Sequence, residues 1–153
     1  MEKEFIPYEQ ALALKELGFN EECIASYDNK GNFKDPFDYN SEETDGYVTN
    51  SSLKDPKNFN ASSNPTLLKD YLDNPFTAAP LYQQAFRWFR EKHNLDCNVA
   101  TYALNRPKEY HWLISWTNEA KGHGLSKTYE EAEQACLDKL IEIVNRIVSI
   151  KNK

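Results

Sequence analysis

The stretch YHWLISWT, residues Tyr110 to Thr117, indicates how this chain folds. Successive residues of a β-strand point to opposite faces, so this stretch separates into an aromatic face and a mixed face. The aromatic face carries Tyr110, Trp112, Ile114 and Trp116, and we expect it to be buried against the last helix. Burial of Leu113 in its place would mean that the strand phase is wrong by one residue.

Three further elements surround this strand. Pro80 to His93 predicts a helix with its apolar residues on one side, and Asn94 is a typical left-handed cap. Asn98 to Leu104 predicts a strand, and Tyr129 to Ile150 a long helix. Thr128 and Glu131 form a capping box at the start of the long helix. The C-terminal half therefore reads helix–strand–strand–helix.

The long C-terminal helix has a wide apolar arc. Its residues cover roughly half of the circumference, more than the ~100° stripe of a typical surface helix. Such a helix covers a sheet and touches something else, either another helix of the chain or a second copy in a homodimer. The arc consists of Ala132, Cys136, Leu137, Leu140, Ile141, Ile143, Val144, Ile147 and Val148.

The first 33 residues predict a helix followed by a hairpin. Pro7 suits the first helical position, and the helix is expected to run to Leu17. Gly18 then fits a left-handed cap, from which Phe19 can fold back on Leu14. Cys23 to Tyr27 predicts a strand, and a turn ending at Gly31 leads into the return strand.

Residues 34–64 are dominated by Asn, Asp, Ser, Lys and Thr. Four aromatic residues in this segment favour a long, partly ordered loop over a simple linker. Loops of this length in a compact protein are often functional, although an insertion without a role is the alternative. Asn64 and Pro65 then predict the start of a short helix that ends near Leu72.

These elements predict a single α+β domain over residues 1–153, with 34–64 as a central loop or insertion. We expect an antiparallel sheet with the helices packed mainly on one face.

Composition excludes several classes of function. The formal net charge is −6, whereas a general nucleic-acid binder needs a basic surface. The N-terminus has no signal-peptide pattern, and no window has the ~20 apolar residues of a membrane span. Cys23, Cys97 and Cys136 are odd in number and widely spaced, which argues against a disulfide framework. We therefore expect a cytoplasmic protein with no membrane partner, and the net charge disfavours a nucleic-acid partner.

No constellation predicts catalysis, a metal or a cofactor. The histidines, His93, His111 and His123, have none of the spacings typical of zinc sites, even together with Cys97. Nucleophile elbows, P-loops and dinucleotide-binding motifs are missing from the sequence. We therefore predict a protein that is not an enzyme.

The segment GHGLSK, Gly122 to Lys127, opens the last helix. It resembles the GxGxSK signature of double-stranded RNA-binding domains, whose size and helix–sheet–helix order also suit residues 80–148. In that family, lysines at the helix start contact phosphates. Lys127 matches, but Glu130 and Glu131 follow, and only two strands are evident where the family has three. The alternative is a glycine-rich turn before a well-capped helix.

The candidate ligand-binding residues are Arg87, Trp88 and Arg90. The two arginines lie on the exposed side of the middle helix, and their guanidinium groups suit a phosphate or a carboxylate. Trp88, at the boundary of that helix, and aromatics of the central loop would supply a stacking surface. The alternative is a solubilising helix face.

Three stretches resemble a family of small uncharacterised proteins encoded by bacteriophages and prophages. They are FIPYEQALALKELGF from Phe5, APLYQQAFRWFREKHNL from Ala79 and KTYEEAEQACLDKLIEIV from Lys127. The resemblance implies a phage accessory protein that acts by binding a host factor or a small anionic, nucleotide-like ligand. Inhibition of bacterial anti-phage defence is the expected setting. A nucleic-acid-binding module of double-stranded RNA-binding type is the alternative function.

Overall fold

The computed structural model describes residues 2–28, 30–34, 76–102, 108–117 and 119–151. The chain divides into two compact units, Met1–Pro80 and Leu81–Lys153, which are described separately below. Both are built from helices and antiparallel strands, so the predicted α+β class is confirmed. The predicted central loop and the short helix after Asn64 lie outside the described residues, apart from Lys34 itself.

The first unit begins with a 3₁₀ turn, Glu2–Glu4, and the predicted helix α1 follows over Tyr8–Glu16, with Pro7 as its N-cap and not as the first helical residue. Leu17 caps the helix, and Gly18 follows in the left-handed region with φ 90°. The N–H of Phe19 donates to the carbonyl of Leu14 at 2.9 Å, which is the long bond of a Schellman motif. Both side chains are buried, so the predicted fold-back of Phe19 on Leu14 is confirmed.

A three-stranded sheet completes this unit. Strand β1, Ala25–Tyr27, lies between β2, Phe33–Lys34, and β3, Thr77–Ala79, with both pairings antiparallel. The predicted hairpin is thus present, and β3 is an additional strand that the sequence did not predict. The Tyr27 hydroxyl donates to the Ile6 carbonyl at 2.7 Å, which ties the central strand to the segment before α1.

The hairpin turn is organised by the carboxylate of Asp28. One carboxylate oxygen accepts from the backbone N–H of Lys30 and of Asn32, both at 2.9 Å, and the other accepts from the Asn32 side chain. Lys34 forms an ion pair with the same carboxylate at 3.4 Å. Burial alone would raise the pKa of Asp28, but these donors stabilise the anion and lower the pKa to about 2.

Acid is therefore expected to loosen this turn. Because the folded pKa of about 2 lies below the ordinary 3.8, the carboxylate stabilises the fold fully above about pH 4. That stabilisation is lost as the pH falls through 2. Amide hydrogen exchange at Lys30 and Asn32, followed by NMR, should accelerate over this window relative to the intrinsic rate. Asp28→Asn should remove the pH dependence, and an unchanged dependence in this variant would contradict the assignment.

The second unit contains two helices and a three-stranded sheet. Helix α2, Tyr82–His93, leads into strands β4, Leu95–Tyr102, β5, Glu109–Trp116, and β6, Glu119–Ser126, and helix α3, Tyr129–Lys151, follows β6. The strands are antiparallel in the order β4-β5-β6. Helix α3 contacts all three strands, and α2 contacts β4 and α3. Asn94 takes the left-handed cap with φ 57°, as predicted.

The predicted phase of β5 is correct. Ile114 is fully buried, whereas Leu113 on the opposite face is 37% exposed. Tyr110 contacts Tyr129 of α3 edge-on, with ring centroids 5.8 Å apart. The predicted burial of the aromatic face is confirmed only for Ile114, because Tyr110 and Trp112 are half-buried and Trp116, at the end of the strand, is 40% exposed.

Strand β6 corrects the interpretation of the glycine-rich segment. Gly122 to Ser126 belong to a strand paired with β5, with Trp112 opposite Gly124. A Cβ atom on Gly124 would lie 2.6 Å from the Trp112 ring. The glycine is therefore required because the indole packs directly on the neighbouring backbone. The predicted order of helix, strands and helix in the C-terminal half is confirmed, with β6 as one more strand in place of a glycine-rich turn.

The start of α3 has the predicted capping box. Thr128 Oγ1 accepts from the N–H of Glu131 at 3.1 Å, and the Glu131 carboxylate accepts from the N–H of Thr128 at 3.3 Å. Farther along, five residues of the apolar arc are buried, namely Ala132, Cys136, Leu137, Leu140 and Val144, whereas Ile141, Ile143 and Ile147 are half-buried and Val148 is exposed. A homodimer through this helix stays a prediction.

The pairing of the cysteines differs from the expectation, which was drawn from their odd number and wide spacing. Cys97 of β4 and Cys136 of α3 form a disulfide, with their Cα atoms 7.2 Å apart. Cys23 is buried outside this disulfide, and its thiol donates to the Glu21 carbonyl at 3.7 Å. The wide spacing in sequence was misleading, because α3 crosses the sheet and brings position 136 onto β4. One disulfide thus links strand and helix.

Candidate ligand-binding surface

The outer side of α2 holds two of the three predicted site residues. Arg87 and Arg90 are both exposed. Residues three apart on a helix are neighbours on its surface, about 60° apart around the axis and about 4.5 Å along it. Both guanidinium groups can therefore reach a single ligand. Exposed Glu91 lies on the same side and reduces the local positive charge.

Trp88 does not belong to this surface. Its side chain is 2% exposed and packs edge-on against Phe89 at 5.0 Å and against His93 at 4.8 Å, measured between ring centroids. The helical wheel placed Trp88 at the boundary, where only tertiary packing decides whether a side chain is buried. A buried indole cannot stack on a surface ligand, so the expected role of Trp88 is corrected to a core residue. By packing in the core, Trp88 fixes the orientation of α2 and thus the side from which Arg87 and Arg90 project.

The N-terminus of α3 was the second candidate for anion binding. The Glu131 carboxylate accepts from the backbone N–H of Lys127 at 3.1 Å and from that of Thr128. These are donors that a phosphate would otherwise use at a helix N-terminus. Glu130 is exposed beside them. The chain thus supplies its own anion to this helix end.

An aromatic cluster lies beside this helix start. The Lys108 ammonium lies 5.2 Å from the ring centroid of Tyr110, which in turn contacts Tyr129. Burial, together with the charge of Glu133 and a hydrogen bond to it, raises the pKa of Tyr129. Tyr129 therefore stays protonated at neutral pH and acts as a neutral hydrogen-bonding group.

The three histidines occupy two different settings. His93 ends α2 and packs on core aromatics, whereas His111 and His123 lie on the neighbouring strands β5 and β6. The imidazole centroids of His111 and His123 are 6.2 Å apart. Among the side chains that the structure describes, no three from His, Cys, Asp and Glu are grouped to hold a metal ion.

Comparisons of the chain with known protein families, curated proteins and solved structures give no match. The resemblance to bacteriophage proteins accordingly stays a prediction. Within the described ranges, no helix is long and apolar enough to cross a bilayer.

Proposed function

We propose that this protein is a non-enzymatic binding protein that recognises an anionic group through Arg87 and Arg90. The observation that supports this function is the exposure of both arginines on one side of α2, whose opposite side is anchored by Trp88 and Phe89. The anchored helix limits the entropy lost on binding to the arginine side chains themselves.

The pair Arg87 and Arg90 is notable because the chain as a whole is negatively charged. The whole chain has a formal net charge of −6, and α2 nevertheless places two guanidinium groups side by side on its exposed surface. Arginine binds phosphate and carboxylate groups through two parallel N–H donors, which provides orientation as well as attraction. A nucleotide phosphate or an acidic side chain of a host protein fits this chemistry.

The biological setting follows from the sequence resemblance. A phage accessory protein acts in a bacterial cytoplasm, where host defence depends on proteins and on nucleotide signals. Binding either of them through an anionic group would inhibit defence without catalysis. This setting rests on the resemblance alone.

The double variant Arg87→Glu/Arg90→Glu tests the proposal. Both side chains are exposed, so each change should shift the free energy of unfolding by no more than ~0.5 kcal/mol. Affinity for AMP, titrated by NMR, should fall at least tenfold, which corresponds to ~1.4 kcal/mol. The control Lys3→Glu/Lys30→Glu changes the net charge equally at exposed positions of the first unit.

The control separates a specific site from general electrostatic attraction. Equal weakening in the two double variants would indicate attraction by the net charge. Normal AMP binding in a folded arginine variant would exclude these residues from the site. Absence of saturable AMP binding by the unmodified protein would reject a nucleotide ligand and leave an acidic protein surface as the target.

Strand β6 favours one second candidate function, duplex RNA binding. It supplies the third strand that this family has, and GHGLSK runs from this strand into α3. The acidic residues at the start of α3 oppose phosphate contact. Binding to a 20-base-pair RNA that weakens steeply with salt and is lost in Lys127→Glu would establish this function over the first.

A further inference from the structure

The sheet of the second unit has an open face opposite Ile114 and the helices. Alternation along β5 and β6 places His111, Leu113, His123 and Leu125 on this face. The register pairs His111 with Leu125 and Leu113 with His123. Leu113 is 37% exposed and Leu125 59% exposed, in contrast to the fully buried Ile114. The two histidines are therefore diagonal neighbours on one accessible surface.

The geometry of this pair matches metal chelation. The usual Zn–N distance is about 2.0–2.1 Å. Two imidazoles that bind one ion at this distance in tetrahedral geometry have ring centroids roughly 5 Å apart. When the two rings bind on opposite sides of the ion, their centroids are about 6.4 Å apart. The observed centroid separation is 6.2 Å, with the rings tilted by 44°. Rotation of the two imidazoles about χ1 and χ2 is what would bring one nitrogen of each ring onto a common ion.

We propose that His111 and His123 form a two-histidine site for a borderline divalent transition-metal ion, such as Zn²⁺, Ni²⁺ or Cu²⁺. Neutral imidazole is a preferred ligand of these ions, in contrast to Mg²⁺ and Ca²⁺, which prefer oxygen. The hydrogen-bonded pair β5–β6 holds both backbones in place, so binding orders only two side chains.

The site provides two protein ligands and leaves the remaining positions to water or to another donor. Such an open site binds more weakly than the closed four-ligand sites of structural zinc. Its position on the sheet separates it from the arginines of α2. The proposal is therefore independent of the proposed anion-binding function.

Titration with ZnCl₂ under non-reducing conditions tests the site. Long-range ¹H–¹⁵N NMR spectra should show saturable shifts of the His111 and His123 ring nitrogens at one ion per chain. His111→Ala and His123→Ala should each weaken binding at least tenfold. Tryptophan fluorescence verifies that the variants fold, and glutamine at the same position, His111→Gln or His123→Gln, replaces an alanine variant that does not.

A variant designed to bind Zn²⁺ more tightly provides a second test of the site. Leu125 lies directly opposite His111 and two residues from His123 on the same face, so Leu125→His adds a third imidazole. This variant should bind Zn²⁺ at least tenfold more tightly than the unmodified protein. Unchanged affinity in both alanine variants, or shifts confined to the ring nitrogens of His93, would overturn the proposal.

Discussion

Breaking the disulfide between Cys97 and Cys136 is expected to lower the free energy of unfolding of the second unit by about 2–4 kcal/mol. The two cysteines are 39 residues apart, and a crosslink of this length restricts the unfolded chain substantially. The chain-entropy estimate for such a loop is ~4 kcal/mol, the upper end of the expected range. The bond also joins β4 to α3, so reduction should loosen the contact between sheet and helix.

Urea unfolding followed by tryptophan fluorescence measures this effect, because all three tryptophans lie in the second unit. The oxidised protein should unfold at a higher urea concentration than the reduced protein. Cys23→Ala should respond to reductant in the same way. Cys97→Ala/Cys136→Ala should not respond, and a response in that variant or none in the unmodified protein would contradict the assignment.

The sequence predicted the helices whose ends are marked by capping residues. The capping box at Thr128 and Glu131 marked the start of α3, and Gly18 and Asn94 marked two helix ends. These interactions involve residues only a few positions apart, so they can be recognised without knowing the fold. The strand phase of β5 followed equally well from alternation.

Strands β3 and β6 were missed because their signals are not local. Strand β6 carries two glycines, Gly122 and Gly124, which weaken β-propensity and are typical of turns. Their presence is explained by Trp112 on the neighbouring strand, a residue ten or more positions earlier. Strand β3 has only three residues, Thr77–Ala79, and is defined by pairing with distant β1.

For the candidate sites too, the sequence predicted only what does not depend on contacts between distant parts of the chain. Exposure of Arg87 and Arg90 followed from the helical wheel, whereas burial of Trp88 depended on packing around the helix. His111 and His123 are twelve residues apart, a spacing that matches no metal motif. A hairpin alignment that placed Leu125 opposite His111 would have revealed the pair, but it required β6 to be recognised first.

Gly124→Ala is expected to lower the free energy of unfolding of the second unit by about 1–3 kcal/mol, the usual cost of overpacking. The added methyl group would lie 2.6–2.7 Å from three ring atoms of Trp112, so the indole or the strand must move. In an unobstructed strand the same change would be favourable by roughly 0.5–1 kcal/mol, since glycine loses more backbone freedom on folding. Urea unfolding monitored by tryptophan fluorescence measures the difference.

A matched substitution at Gly122 and a double-mutant cycle with Trp112 test whether the indole causes the loss of stability in Gly124→Ala. Gly122→Ala meets the Lys139 side chain at 3.1 Å and the Trp112 ring only at 3.4 Å, and the half-exposed lysine can move aside. Its effect should therefore stay within about 0.5 kcal/mol. In a Trp112→Val background, Gly124→Ala should become neutral or stabilising, because the ring that excludes the methyl group is gone. An equal loss of stability in both backgrounds would mean that backbone conformation, and not the indole, requires glycine at this position.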